Sequence, residues 1–398
     1  MNAPPSGQQS SAPSIRCIHP GPHQPEFDDL PHVLLVVDCF PKTLGGGERI
    51  VLRLASLLPR YGFRASILTF SIDAESSFRP SEAPCPLYLL PLGRTYDARA
   101  LRAALTFRRF LKDQKIRIVQ TFFESSDLWA GTVARTLASV RLIWSRRDLG
   151  ILRGRKHTLA YRVLRRLPHA VFAVSDEVRR HAVEVDRIPA DRVHTIHNGL
   201  DLRALPPDTG AGRGGPAPTI VTVGNIRRVK GHDVLVHAAS RIVRQFPTAT
   251  FEVAGEVLDQ DYFNELRTLI RDLGLEDRFR FAGGVQQLGP WLQRAHVFVL
   301  PSRSEGFSNA LIEAMAAGLP VVATRVGGNA EAVEDEVSGR IVPPEDPEAL
   351  AEAILRLLSS PDDARRIGEA GRQRVKDQFT VDAMMQKVVA SYSEVLGW

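Results

Sequence analysis

Residues 296–324 read HVFVLPSRSEGFSNALIEAMAAGLPVVAT. HVFVLPS (296–302) is an unbroken apolar run, the pattern of a strand buried on both faces. SRSEGF turns the chain. Ser308 is placed to cap a helix over 309–317, which Gly318 stops. PVVAT (320–324) is a second strand, so the unit is strand–helix–strand with the strands parallel. The alternation continues outward. TIVTVGN (219–225), TATFEVAG (248–255) and FRFAGG (279–284) read as strands, with a helix over HDVLVHAASRIVRQFP (232–247). In the first half, HVLLVVDCF (32–40), RASILTF (64–70), IRIVQTFFE (116–124), RLIWSRR (141–147), AVFAVS (170–175) and VHTIHNG (193–199) alternate with helical segments. The Gly- and Pro-rich stretch LDLRALPPDTGAGRGGPAP (200–218) loses all periodicity. The expected fold is α/β: two doubly wound parallel-sheet domains over 31–200 and 219–380. Residues 201–218 join them, 1–30 form a disordered leader, and 381–398 are a last helix.

The composition suits such a molecule. The chain has 398 residues, 44% of them hydrophobic and 24% charged, enough for two ordinary cores. No uncharged apolar run approaches the roughly 18 residues that span a bilayer. The first residues, rich in Pro, Ser and Gln, lack the pattern of a signal peptide. Cys17, Cys39 and Cys85 have no paired spacing, so neither a disulfide framework nor a zinc site is expected, and a cytoplasmic setting fits. Residues 1–200 carry 29 Lys/Arg against 18 Asp/Glu, and the remainder 22 against 27. The positive excess gathers in 99–117 and 146–167. Such clusters attract polyanions or anionic lipid surfaces. Without aromatic interleaving or a recognisable binding module, nucleic acid is not an expected partner.

The loop after 296–302 holds the chemistry. Free N–H groups near Ser308, Asn309, Ala310 and Leu311 make an anion site suited to a diphosphate. Glu305 sits in the loop above it. Glu313 lies one turn into the helix, its side chain leaning back toward the N-terminus, where a carboxylate suits a pair of ribose hydroxyls. A nucleoside diphosphate sugar fits this arrangement. Without that ligand, Glu313 would serve the helix dipole and Glu305 the solvent.

This stretch, with Glu305 and Glu313 eight positions apart, resembles the signature of the retaining glycosyltransferases of family 4, which share the GT-B architecture. GGGERIVLRLA, VFAVSDEVRRHAV, VHTIHNGLD and VTVGNIRRVKGHDVLVHA extend the resemblance over roughly 32–395. It implies that Glu305 faces the transferred sugar, that Glu313 binds the ribose, and that Gly306, Phe307, Ser308, Asn309 and Ala310 line the donor. Lys230 matches the family's diphosphate-holding lysine. The family usually has arginine after the preceding glycine, where this chain has Asn225, so Arg227 or Arg228 takes that role, Arg227 being favoured. In FPKTLGGGERI (40–50), Gly46 and Gly47 are the donor-phosphate choices, while Glu48 supports the helix start. Many members carry a histidine near 118–127; here the matching positions are Gln120, Phe122 and Ser125. Glu124, Asp127, Arg147 and Glu331 are the acceptor-side candidates, with Arg146 and Asp148 beside Arg147.

The implied activity is metal-independent, retaining transfer of a sugar to a hydroxyl in polysaccharide or glycolipid synthesis. The nucleotide sugar is a substrate, and no cofactor is expected. The acceptor can be lipid-linked, with the basic N-terminal surface against the inner face of an anionic membrane. A nucleotide-sugar epimerase and a non-catalytic nucleotide-sugar-binding protein are the rival readings. GGGERI lacks the G-x-G-x-x-G order of a dinucleotide oxidoreductase. DQD (259–261) reads as a loop rather than a metal site, and His194, His197 and His232 as packing or capping residues.

Overall fold

The computed structural model describes residues 14–22, 27, 29–150, 153–204, 217–285 and 288–398. The first domain carries strands β1 (Arg16–His19), β2 (His32–Phe40), β3 (Arg64–Ile72), β4 (Leu87–Leu89), β5 (Ile116–Thr121), β6 (Arg141–Arg146), β7 (Ala170–Ala173) and β8 (Val193–Thr195). They form one sheet in the order β1-β4-β3-β2-β5-β6-β7-β8. Every pairing is parallel except β1 with β4. Within the expected leader, Arg16–His19 is therefore an edge strand. Arg16 and Cys17 are exposed and Ile18 and His19 half-buried, so it lacks the apolar run that marks an inner strand. In β2, Val33 through Val37 are wholly buried, as its neighbours on both sides and helices on both faces require.

The second sheet comprises β9 (Thr219–Val223), β10 (Thr250–Ala254), β11 (Phe279–Gly283), β12 (Val297–Leu300), β13 (Val321–Thr324) and β14 (Arg340–Val342). Its order is β11-β10-β9-β12-β13-β14, all parallel. Of the expected linker 201–218, residues 205–216 lie outside the described residues.

Among the parallel strands each order reverses direction once, between β2 and β5 and between β9 and β12. Ligands of open α/β sheets bind at the carboxyl ends flanking such reversals. In the first domain these ends carry the glycines at 45–47 and the 122–126 loop. In the second they carry the Lys230 and Glu305 loops.

The chain crosses between domains twice, and the crossings bond to each other. Leu200 N donates to Phe379 O at 2.8 Å and Val381 N to Leu200 O at 3.1 Å. The last helix, Val381–Leu396, packs Met384, Met385, Val388 and Tyr392 into the first domain's core. The Tyr392 hydroxyl donates to Gln120 Oε1.

Two histidines give the fold a pH dependence. His32 lies between Gln114 O and the Ser66 hydroxyl, and His232 is buried at the start of helix His232–Gln245. Burial pushes both imidazoles down to about 4. Unfolded, they take up protons below about pH 6.5. The unfolded state thus binds more protons between those values, and stability falls as pH drops from about 6.5 to 4. We expect a decline of up to about 1.4 kcal/mol per pH unit for each histidine. Urea-unfolding midpoints measured across that range should fall, and His32→Gln should flatten the slope; an unchanged slope in the variant would contradict the assignment.

Candidate active site

The β12-to-helix turn and the β9-to-helix turn meet at one ion pair. Lys230 Nζ lies 2.7 Å from Glu305 Oε1, the two side chains being 25% and 10% exposed. The Ser302 hydroxyl donates to the same oxygen at 2.6 Å. Both bonds fall on Oε1, and among the described residues Oε2 has no hydrogen-bond partner. Lys230 reaches the carboxylate across Gly224, where a Cβ would stand 3.3 Å from its Cδ.

Glu305 is followed by Gly306, Phe307 and the helix Asn309–Ala316. The Ser308 hydroxyl accepts from Leu311 N at 3.3 Å, the capping role its position suggests. The first amides, Asn309 and Ala310, have no carbonyl behind them in the helix. Glu313 follows within that helix. Burial raises its pKa above the usual carboxylate value, and Arg53 and Arg49 draw it partly back. Both arginines belong to the first-domain helix Gly46–Leu57. At the start of that helix Gly46 has open space where a Cβ would be, whereas Gly47 packs 2.6 Å from the Phe123 ring by the same measure. Glu48 Oε2 accepts from Gly45 N at 2.8 Å and so holds the helix start.

The first domain touches the helix tip directly. Asn198 Nδ2 donates to Asn309 Oδ1 at 2.8 Å and to Phe307 O at 3.3 Å, while its Oδ1 accepts from Arg147. Gly306 lies against Arg147: a Cβ there would be 1.9 Å from the Arg147 carbonyl oxygen. Gly327 is as tightly placed, its Cβ position 1.7 Å from Glu305 O. These approaches tolerate nothing larger than hydrogen.

Comparison with known proteins bears on this geometry. Residues 211–374 match the family Glycosyl transferases group 1, and residues 44–204 match Glycosyltransferase Family 4. The lipopolysaccharide core biosynthesis mannosyltransferase LpcC of Rhizobium leguminosarum bv. viciae is 32% identical over 252 residues, 61% of this chain and 69% of that protein. The chain belongs to the family 4 glycosyltransferases. The D-inositol 3-phosphate glycosyltransferase of Frankia alni is 33% identical over 242 residues, 57% of this chain and 58% of that protein's length. The Anabaena HepE structure with UDP-glucose superposes with a TM-score of 0.79, covering 91% of this chain and 99% of that one at 20% identity. The two facing sheets are thus a GT-B fold.

Against this family 4 framework, three acceptor-side expectations need revision. Asp127 is wholly buried: it pairs with Arg146 and accepts from the Tyr161 hydroxyl at 3.1 Å and from Thr121. A carboxylate committed to a buried ion pair is not available to an acceptor. Glu124 is turned to Arg153 at 3.0 Å. Burial is the largest influence and pushes its pKa up, but the Arg153 bond, its own backbone amide and the charges of Arg153 and Arg146 together outweigh it, leaving it below the ordinary value. Glu331 accepts from Asp176 N at 2.9 Å and Glu177 N at 3.1 Å, at the tip of the first-domain helix Asp176–Glu184, and lies 2.8 Å from His197 Nε2. It ties the two domains together.

Arg227 is exposed and makes no side-chain hydrogen bond or ion pair among the described residues, whereas Arg228 pairs with Glu265 and lies over Tyr262. Asn225 Oδ1 accepts from Glu256 N at 3.1 Å, a bond between strand ends. DQD is not a loop: Asp259 Oδ1 caps the helix Gln260–Asp272 by accepting from Tyr262 N at 3.0 Å. Asn198 is not among the expected site residues, and His197, expected to pack or cap, packs its ring 4.9 Å from that of Phe307 and also meets Glu331. Their signal was position: both follow β8 at its carboxyl end, in a family 4 segment.

Proposed function

We propose that the protein is a retaining glycosyltransferase, moving a sugar from a nucleoside diphosphate sugar to an acceptor hydroxyl in cell-surface polysaccharide or glycolipid synthesis. The carrying observation is Glu305. It is a nearly buried carboxylate fixed through one oxygen by Lys230 and Ser302, its other oxygen unengaged among the described residues, beside the amide-bearing tip of a capped helix. Such prior fixing is what electrostatic catalysis uses. The same fold holds UDP-glucose in HepE, and LpcC is a mannosyltransferase of lipopolysaccharide core biosynthesis.

In this reading the diphosphate rests on the Asn309 and Ala310 amides with Lys230 and Arg227 beside it. Gly46 and Gly47 close over it from the first domain. Glu313 takes the ribose and Glu305 the transferred sugar, with Gly306, Phe307 and Ser308 shaping the wall. As the bond from anomeric carbon to phosphate breaks, negative charge grows on the β-phosphate, and the cations stabilise it. The acceptor hydroxyl attacks from the face the diphosphate leaves and gives its proton to the departing phosphate oxygen, so configuration is retained. Positive charge comes from the protein, and transfer proceeds without a divalent cation. The test is nucleoside diphosphate release from UDP-, GDP- and ADP-sugars, with and without candidate hydroxyl acceptors and with EDTA. Acceptor-dependent release that survives EDTA supports the proposal. Epimerised sugar formed without acceptor would overturn it.

The acceptor is proposed to be lipid-linked and met at the inner face of an anionic membrane. Among the described residues no helix is long and apolar enough to cross a membrane. Helices Ala98–Asp113 and Arg155–Leu164 pack on the same core through Phe107 and Tyr161. Outward, Leu101, Leu105, Leu159 and Val163 are 62% to 74% exposed. They stand among Arg102, Arg109, Lys112, Lys156 and Arg166, the mixture of apolar and basic groups that binds lipid headgroups. Leu101→Glu with Leu159→Glu should reduce cosedimentation with phosphatidylglycerol vesicles at low salt at least several-fold. Equal binding by the variant would count against the surface.

A further inference from the structure

Arg146 and Arg147 are consecutive, and their surroundings differ in one respect. Arg146 has carboxylates on hand: Asp127, and Asp186 at 3.6 Å. Arg147 has none within ion-pair distance among the described residues; its Nε is buried without a hydrogen-bond partner, as are Nε and Nη2 of Arg146, so the missing counter-charge is what separates the two. A guanidinium offers five donors. The one that finds a partner goes to a neutral amide oxygen, Asn198 Oδ1. The neighbouring Asp148 lies outside ion-pair distance, its Oδ1 accepting from Gly150 N at 2.7 Å, and its charge compensates only in part. Burial accordingly pushes the Arg147 pKa down to about 10, with Asp148 only partly opposing.

A cation taken from water without a counter-charge is costly, and such a cost is tolerated where a ligand supplies the charge. Location says which ligand. Arg147 follows β6 at its carboxyl end, its carbonyl against Gly306. Its guanidinium is one amide side chain away from Asn309 and the helix tip. Asn198 donates with Nδ2 to Phe307 O and Asn309 Oδ1, so its oxygen is held toward Arg147 and fixes the guanidinium.

We propose that Arg147 is an anion-binding residue of the cleft and that its ligand is a phosphate group of a substrate. A planar fork of N–H donors suits phosphate in two-point contact. The phosphate belongs either to the leaving diphosphate of the donor or to a phosphorylated acceptor. The inference rests on the glycosyltransferase reading for its meaning, not for its test.

The test is calorimetric titration of wild type, Arg147→Gln and Arg147→Lys with UDP, GDP and ADP, and then of the nucleotide-saturated proteins with inorganic phosphate. If the donor supplies the phosphate, Arg147→Gln weakens the bound nucleotide about tenfold or more. If the acceptor supplies it, nucleotide affinity is kept, and phosphate binding to the saturated protein is lost in Arg147→Gln. Arg147→Lys, which keeps the charge, should lose less than Arg147→Gln in either case and serves alone if the glutamine variant does not fold. Should no nucleotide bind wild type, the glycosyltransferase reading fails separately, and phosphate titration of the free protein decides the role of Arg147. Nucleotide and phosphate affinities within twofold of wild type in both variants would overturn the proposal.

Discussion

Gly306→Ala is expected to reduce the turnover number by about a hundredfold while leaving nucleotide affinity within a few-fold of wild type. The added methyl would stand 1.9 Å from the Arg147 carbonyl oxygen, an impossible contact with backbone. The domains must part to relieve it. Lys230, Glu305 and the helix tip belong to the second domain and keep their mutual positions, so the nucleotide keeps those contacts and loses only the cover of Gly46 and Gly47. Acceptor and donor, held by different domains, lose their alignment, and a displacement of an ångström is enough for a loss of that size. Steady-state kinetics with nucleotide titration separates the two effects. Wild-type turnover in the alanine variant would show that the approach of Arg147 to Gly306 is irrelevant to transfer.

Lys230→Ala is expected to lower kcat by about 10² to 10³. Lys230 is the cation paired with Glu305, and its removal also leaves a nearly buried carboxylate without its counter-charge. Arg228→Ala is the control. Arg228 lies two residues away, exposed and paired with an exposed Glu265, and such surface pairs contribute little. Comparable losses in both variants would mean that general loss of positive charge, rather than a placed ammonium group, governs the rate.

Much of the fold was legible because parallel strands buried on both faces leave apolar runs that nothing else in the chain imitates. β2, β9 and β12 follow that pattern. Ser308 was legible as a cap because a hydroxyl before a helical run has few other uses. β1, β4 and β14 were not: they lie at or next to a sheet edge and bury too few consecutive residues to leave an apolar run like that of the equally short β12. The donor-side candidates of the second domain lie in two local turns that the sequence resemblance marks, while Gly46 and Gly47 come from the first domain. The acceptor side depends on tertiary pairing. Nothing local distinguishes Asp127, committed to Arg146 and Tyr161, from an open carboxylate. Nor could spacing show that Glu331 caps a helix more than 150 positions earlier. Arg146 and Arg147 read alike in sequence, and only their partners separate them.

The most direct measurement is a crystal structure of the protein with UDP, GDP or ADP bound. The expected result is the β-phosphate within hydrogen-bond distance of Lys230 Nζ and of the amides at Ser308 to Ala310, with the ribose hydroxyls on Glu313. A nucleotide bound elsewhere, with the Lys230–Glu305 pair undisturbed and Glu313 untouched, would contradict it.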